Sequence, residues 1–223
     1  MRRVQFRLGL ALVLAATLIS AFSAFYTPYD PYEMNQAARY EAPSMTHVFG
    51  TDNFGRDILS RVLSGCGISL GIAAAALAAA LAAGCALGLC AAVGGRYIDS
   101  VIMLAVNALN SIPAVLAALV LRSVLPDGNS SLILTMAAVF APVFVRVVRN
   151  ETALVRELEY VQHARIQGAG TARIVFVHIL PNIRGPLVSA AVIVMTRVLL
   201  IESTLSYLGV GVQPPLPSLG RMM

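Results

Sequence analysis

The chain has 223 residues, of which 58% are apolar and only 12% are charged, and its mean hydropathy is +0.78. Soluble domains are usually about 45–50% apolar and about 25% charged, so this composition excludes an ordinary soluble protein and indicates a membrane protein. Sixteen arginines against eleven acidic residues give a net charge of +5. The sequence has no lysine, which excludes a P-loop or a Schiff-base enzyme. We therefore expect a membrane protein that does not hydrolyse ATP itself and is not an enzyme.

Five apolar runs approach the length of about 20 residues that crosses a bilayer. They must be helical, because lipid offers no hydrogen-bond partner to a bare backbone. The sequence therefore predicts an all-α, polytopic transmembrane helix bundle with about five spans. The predicted spans are residues 8–25, 68–93, 98–121, 132–148 and 186–210.

The first run sets the predicted orientation. Arg2, Arg3 and Arg7 precede it, and small residues near Ser23 leave a cleaved signal peptide as an alternative. If the run is retained, the positive-inside rule places the N-terminus in the cytoplasm. The loops on that side then hold nine arginines and those on the other side five. We expect a multi-pass membrane protein with its N-terminus in the cytoplasm.

The second run contains two pairs of glycines spaced four residues apart, Gly67 with Gly71 and Gly84 with Gly88. Small residues at this spacing let two helices approach closely. The pairs indicate either a contact with another subunit or tight packing within the chain.

Polar residues interrupt the third and fifth runs. In the third, Pro113 predicts a kink, and Asn107 and Asn110 predict either a polar path or an interhelical hydrogen bond. In the fifth, Arg197 and Glu202 lie near bilayer depth, where a charge costs about 2.5–3.5 kcal/mol. We predict that Glu202 faces a polar path or a partner subunit, with a buried structural hydrogen bond as the alternative. The four polar residues form the candidate path or partner surface.

Residues 150–181 are too polar to cross the membrane and are rich in helix-forming residues. They predict two short helices, the first over 153–167 and closed by the glycines that begin at Gly168. The second helix starts at Thr171, runs to His178 or Ile179, and ends at Pro181. A solvated hairpin that only joins two spans is the alternative, although a simple connection needs only a few residues.

Three stretches together resemble a known family. YVQHARIQGA (160–169) followed by HILPN (178–182) resembles the E-A-A-x-x-x-G…L-P loop of binding-protein-dependent ABC importer permeases. GTDNFGRD (50–57) is similar to the G-T-D-x-x-G-R-D of the dipeptide, oligopeptide and nickel branch. ESTLSYLGVG (202–211), with two prolines after it, is similar to that branch's E-x-x-L-S-F-L-G-x-G-x-x-P-P.

The resemblance implies a permease subunit that forms part of a path for small peptides or nickel and other metal chelates. In this family the loop is a coupling helix that docks into a separate ATPase. Residues 1–66 then form an N-terminal transmembrane helix with a periplasmic segment, and residues 67–223 form the permease domain. The implied coupling residues are Tyr160, Val161, Gln162, His163, Ala164, Arg165, Gly168, Ala169, Leu180 and Pro181. The implied periplasmic-loop residues are Thr51, Asp52, Gly55, Arg56 and Asp57.

The implied partners are a homologous permease subunit in a heterodimer, two cytoplasmic ABC ATPase subunits and a periplasmic or extracellular substrate-binding protein. ATP and Mg²⁺ would be bound by the ATPases, so no cofactor is expected in this chain. No metal site is expected either, since the histidines and cysteines are scattered without ligand spacing. The loop before the second run looks weakly like a calcium loop but lacks the glutamate that such a loop needs, and Asp57 is a plausible helix cap.

The sequence departs from the family pattern in the loop and at its end. Gln162 and His163 stand where the family favours Glu and Ala, which predicts a retuned contact with the ATPase. Leu219 stands in the usual place of a Trp. The family has six spans, so one more span is expected after Met223, whether the chain is a fragment or a natural truncation. A secondary transporter, which would show an inverted repeat, and a non-transporting structural subunit are the other hypotheses.

Overall fold

The computed structural model describes residues 2–23 and 26–223, and their regular structure is helical apart from one isolated bridge between Thr51 and Asp57. The predicted all-α class is confirmed. The helices are α1 (Arg2–Ser23), α2 (Ile58–Val93), α3 (Gly95–Asn110), α4 (Ala114–Val124), α5 (Asn129–Arg156), α6 (Glu159–Ile166), α7 (Thr171–Arg173), α8 (Leu180–Tyr207) and α9 (Leu219–Met222). A short 3-10 turn covers Gln36–Ala38, and a π-helical segment covers Ile174–Ile179. Phe25, the predicted end of the first span, lies outside the described residues.

Within the described residues, three helical stretches are long and apolar enough to cross a membrane, namely α2, α5 and the continuous stretch Thr171–Tyr207. The pair α3 and α4 makes a fourth crossing if it is counted as one broken span. The apolar part of α1, Arg7–Ser23, is shorter than the 18 residues that this length criterion requires. All five predicted runs thus fall on helices. Of the described helices, however, only three, or four if the α3–α4 pair counts as one, are long and apolar enough to span a membrane.

The third predicted run is not one helix. The chain bends by 97° between α3 and α4. Pro113 explains the break, because proline lacks an N–H and its ring disfavours a helical residue before it. Helix α4 restarts directly after the proline, and Ala117 N donates to Pro113 O at 3.0 Å. The kink predicted at Pro113 is therefore a complete change of direction.

The chain divides into two compact units. The first comprises residues 1–73, 127–129 and 199–223. Its C-terminal segment folds back on the end of α8, since a Cβ on Gly211 would lie 2.2 Å from Ser206 Oγ and one on Gly220 2.1 Å from Ser203 O. Only glycine fits such close approaches. The segment therefore covers the end of α8 tightly.

The second unit comprises residues 74–126 and 130–198. Here α2 packs directly on α5, because a Cβ on Gly84 would lie 2.3 Å from Phe144 Cβ and one on Gly88 2.7 Å from Val148 Cβ. The Gly84 and Gly88 pair thus serves packing within the chain, which was one of the two alternatives. Gly71 has open space around it.

Candidate functional site

Helix α6 ends in a glycine turn. Gly168 has a φ of +85°, its N–H donates to Arg165 O, and Ala169 N donates to Ala164 O, both at 3.0 Å. This pair of hydrogen bonds is the Schellman motif, which glycine allows without strain. The predicted glycine stop is confirmed. A Cβ on Gly168 would meet nothing within 4 Å, so the requirement for glycine comes from backbone conformation alone.

The start of this helix differs from the prediction. Helix α5 runs on to Arg156, and α6 begins only at Glu159, so residues 153–167 are not one helix. Arg156 Nη1 donates to the Ala92 carbonyl at the end of α2, which holds the end of α5 there. The extended backbone of Leu158, with a ψ of 137°, then redirects the chain into α6.

One apolar residue anchors α6. Val161 is 1% exposed and lies in a cluster contributed by α5, the π-helical segment and the start of α8. The other buried members are Val148, Val155, Ile174, Val175, Ile179 and Ile183. Burying a valine side chain contributes about 1.5–3 kcal/mol. Leu180 and Ala169 pack partly against the same cluster.

The other predicted coupling residues lie outside this cluster. Tyr160, Gln162, His163 and Arg165 are exposed. The Tyr160 hydroxyl accepts a hydrogen bond from Asn182 Nδ2 at 2.8 Å. A cavity of about 510 Å³ lies beside α6. Its lining residues are Tyr160, His163, Ala164, Gln167, Gly168, Ala169, Arg173 and His178. The structure thus brings five of the ten predicted coupling residues together around one exposed recess.

Pro181 does not end the second helix, contrary to the prediction. Helix α7, the π-helical segment and α8 form one stretch, Thr171–Tyr207. At the junction Leu180 N donates to Val175 O, five residues back, and Asn182 Nδ2 donates to His178 O at 2.6 Å. Proline lacks the N–H that an α-helix needs. The wider π turn and the Asn182 side chain supply the hydrogen bonds at this junction, so the helix continues through Pro181.

The loop before α2, residues 26–57, is here named the GTD loop. Asp52 accepts hydrogen bonds from Phe54 N at 2.8 Å, Arg56 N at 3.0 Å and Arg56 Nε at 2.8 Å. Burial raises the pKa of the Asp52 carboxyl, but these hydrogen bonds and the Arg56 charge outweigh it and hold the pKa below its usual value. Gly55, with a φ of +75°, packs against Asn35, where a Cβ would lie 1.7 Å from the carbonyl oxygen.

Asp57 caps helix α2, as predicted. Its Oδ2 accepts from Ser60 N at 2.8 Å and from Ser60 Oγ at 2.7 Å, and its Oδ1 lies 2.9 Å from His47 Nδ1. Burial raises the pKa of the Asp57 carboxyl, but the Ser60 and His47 hydrogen bonds and the His47 charge lower it further, to below its usual value. Thr51 is buried, and its hydroxyl donates to the Ala38 carbonyl.

The motif residues of the GTD loop therefore satisfy one another. No group of three His, Cys, Asp or Glu residues that could hold a metal occurs within residues 2–23 and 26–223. The carboxylates of Asp52 and Asp57 already accept hydrogen bonds from their own loop and from the first turn of α2, which is the shaping role rather than the calcium-loop one.

The predicted path residues separate into two groups. Asn107 accepts a hydrogen bond from Arg146 Nη2 at 3.0 Å, which joins α3 to α5 and is the interhelical alternative. Asn110 and Arg197 line a cavity of about 470 Å³ that Arg146 also lines. Arg197 is exposed on the surface of the chain. An arginine at membrane depth costs about 2.5–3.5 kcal/mol in lipid, so its side chain requires water or protein around it.

Glu202 is not at a path, contrary to the prediction. It is 0% exposed, and its Oε1 accepts hydrogen bonds from Ser206 Oγ at 2.8 Å and Ser218 Oγ at 3.3 Å. The C-terminal segment that folds over the end of α8 covers the carboxyl group. Glu202 therefore makes the buried structural hydrogen bonds that were the alternative.

Sequence reasoning missed several residues near the cavity. Arg149 and Asp99 form a two-pronged ion pair, at 2.5 and 2.6 Å, that joins α3 to α5. Asn150 and Glu151 line the cavity with Arg146. Arg146 and Asn150 are four residues apart and share a helix face, which is the one signal that could have pointed to them.

Residues 80–223 match the family described as binding-protein-dependent transport system inner membrane component. The chain belongs to this family. The permease is 38% identical over 223 residues to a Brucella suis protein named for a peptide transport system, covering 100% of the permease and 75% of that relative. It is 35% identical over 215 residues to the dipeptide transport system permease protein DppC of Alkalihalophilus pseudofirmus (96% and 71% covered). It is 33% identical over 222 residues to DppC of Haemophilus influenzae (97% and 75% covered).

Family membership and the apolar helices make the chain a multi-pass transport component of the inner membrane. It acts in transport, as its relatives are transport permeases rather than enzymes. The family description also ties this class of permease to a substrate-binding protein.

Proposed function

We propose that this permease is one transmembrane subunit of an ATP-driven importer of small peptides and that α6 transmits force from a separate ATPase. The observation that carries the proposal is the build of α6. Its inner side is fixed to the chain by Val161, and its exposed side presents Gln162 together with Tyr160 and His163, which line an open recess. A helix that is packed against the chain on one side and exposed on the other can transmit force from a partner protein that binds its exposed side.

The cargo assignment rests on the relatives. Two of them are named for dipeptide transport and one for peptide transport. We therefore assign peptides, rather than nickel or other metal chelates, to this permease. A homologous permease subunit, two ATPases that bind ATP and Mg²⁺, and a substrate-binding protein complete the proposed importer.

The proposed orientation puts the N-terminus and α6 in the cytoplasm. Four crossings by α1, α2, the α3–α4 pair and α5 bring the chain back to the side on which it began. The arginine bias favours the cytoplasm for that side. Labelling of single cysteines at Met45 and at Ile166 from each side of the membrane checks this orientation.

Replacement of Gly168 tests the role of α6. We expect Gly168→Val to break the Schellman turn, because a left-handed residue with a β-branched side chain is strained by at least about 1–2 kcal/mol. The ATPase that co-purifies with the tagged permease should fall at least about five-fold, and peptide uptake should fall with it. The measurement is quantitative co-purification from membranes that express the whole importer.

Gly170→Val is the matched control. Gly170 has a φ of −65° and, like Gly168, open space at its Cβ position, so valine fits there without strain. It should keep ATPase binding and uptake. Normal ATPase binding and coupled uptake in Gly168→Val would contradict the assignment of α6 as the docking element.

A further inference from the structure

The cavity between α3, α5 and α8 has an unusual chemical lining. It holds about 470 Å³, and its polar lining residues are Asn110, Arg146, Asn150, Glu151 and Arg197. All lie in the second compact unit. Two guanidinium groups, two amides and one carboxylate thus face one space, with Val143 and Pro186 among the remaining wall residues.

The guanidinium N–H donors of the two cavity arginines are largely not used in hydrogen bonds within the described residues. Within the part of the chain that the structure describes, Arg197 has no hydrogen bond and no ion pair. Arg146 uses Nη2 on Asn107 Oδ1, which leaves the rest of its guanidinium to the cavity. Arg197 also lies in the middle of an apolar helix, where a charged group needs water or an anion beside it. The two arginine charges of the cavity therefore exceed the single carboxylate charge of Glu151, which leaves a net positive charge for an anion to balance.

The ligand follows from this chemistry. A guanidinium group presents paired N–H donors that match the two oxygens of a carboxylate. A peptide ends in such a carboxylate and begins with an ammonium group, for which Glu151 supplies an acceptor in the same cavity. We propose that Arg197 and Arg146 bind the C-terminal carboxylate of a peptide in transit through the permease. This inference rests on the proposed function as a peptide importer.

A cysteine reporter inside the cavity tests the inference. Val143→Cys places a thiol in the wall and leaves both arginines intact. The three native cysteines, Cys66, Cys85 and Cys90, are replaced by alanine in the same chain. The importer complex, assembled without its binding protein in lipid nanodiscs, is then treated with a charged, membrane-impermeant methanethiosulfonate. Millimolar dialanine should slow modification at least about three-fold, whereas dialanine amide, which lacks the carboxylate, should change it less than about 1.5-fold.

Two control sets make the result specific. Met45→Cys, in the exposed GTD loop, should react at a rate that dialanine does not change. Arg197→Gln, added to the Val143→Cys reporter, should abolish the protection, and Arg197→Lys should restore part of it. The co-purified ATPase is measured for each variant, so a failure of assembly is recognised.

Three results would overturn the inference. The reporter is unreactive, which means that another subunit fills the cavity; dialanine and its amide protect equally; or protection survives Arg197→Gln. Any of these leaves the proposed function standing if the complex binds its ATPase and the same importer, with its binding protein, takes up dialanine in intact cells. A wild-type complex that imports no peptide at all overturns the proposed function instead.

Discussion

The GTD loop and the loop that carries α6 (residues 157–179, the α6 loop) are built in opposite ways. In the GTD loop the carboxylates of Asp52 and Asp57 are largely covered, and each accepts several hydrogen bonds from neighbours in sequence. In the α6 loop an apolar side chain, Val161, is turned inward, and the polar side chains are left outside. One loop is held by polar contacts with itself, and the other is held by apolar contacts with the helices.

The difference teaches where a partner can bind. Polar groups that are already paired have little left to offer, whereas exposed and largely unpaired ones are available to another protein. The conspicuous motif of the GTD loop is therefore explained by the shape of the loop. The motif of the α6 loop is shaped mainly by Val161 and Gly168, so exposed residues such as His163 and Arg165 are available for a contact.

Removal of Asp57 should produce the largest effect. Asp57→Ala leaves Ser60 and His47 without their acceptor, and hydrogen bonds to a buried charged group contribute about 1.5–3 kcal/mol each. We expect local opening of the GTD loop to become about 3 kcal/mol easier, or about 100-fold in the hydrogen exchange of residues 50–57. Glu33→Gln, an exposed change in the same loop, should alter exchange less than about three-fold. Equal exchange in the two variants would mean that polar contacts do not hold this loop.

Truncation of Val161 should have the next largest effect. Val161→Ala removes two methyl groups from a filled cluster, at a cost of about 2 kcal/mol. Hydrogen exchange of α6 amides should rise about 30-fold.

His163→Ala tests the opposite case, in which an exposed residue of α6 is removed. Because His163 is exposed, its removal should leave α6 exchange within about two-fold of the wild type while lowering the co-purified ATPase about five-fold. If His163→Ala loosens α6 as much as Val161→Ala does, the division into an anchoring side and a binding side is wrong.

A fall in pH should open the GTD loop more than the α6 loop, and this difference should be smaller than the effects above. The pKa values of Asp52 and Asp57 lie below their usual range, so their stabilisation is complete above about pH 4 and is lost as the pH falls through the lowered folded values. Pepsin should therefore cleave the GTD loop a few-fold faster at pH 2.5 than at pH 4, relative to an unfolded peptide of the same sequence. The rate of cleavage within the α6 loop should change between these two pH values only as much as that of an unfolded peptide of its own sequence. An Asp57→Asn variant should show a reduced pH response in the GTD loop.

The parts of the structure that depend on neighbours in sequence were predictable. Gly168 as a helix stop and Asp57 as a helix cap each involve residues at most a few positions away, and both predictions are confirmed. The apolar runs likewise marked where the helices are, because a membrane requires that composition.

The parts that depend on distant residues were not predictable. Glu202 looked like a path residue until Ser218, sixteen positions later, was found to cover it. The cavity joins Asn110, Arg146 and Arg197 from three helices, and no spacing along the chain encodes that meeting. Pro181 was predicted to end a helix, as proline does in an isolated α-helix. The π turn before it lets the helix continue.

That π turn also sets an angle. Residues 174–179 spend one residue more per turn than an α-helix would, and each residue of an α-helix advances by about 100°. A regular α-helix over the same residues would swing everything after it by about that amount. The stripe of Ile183, Val194 and Val198, which is now buried, would then turn away from the core, and Arg197 would leave its cavity. In this stretch the wider turn, and not only the number of residues, sets the rotation of α8.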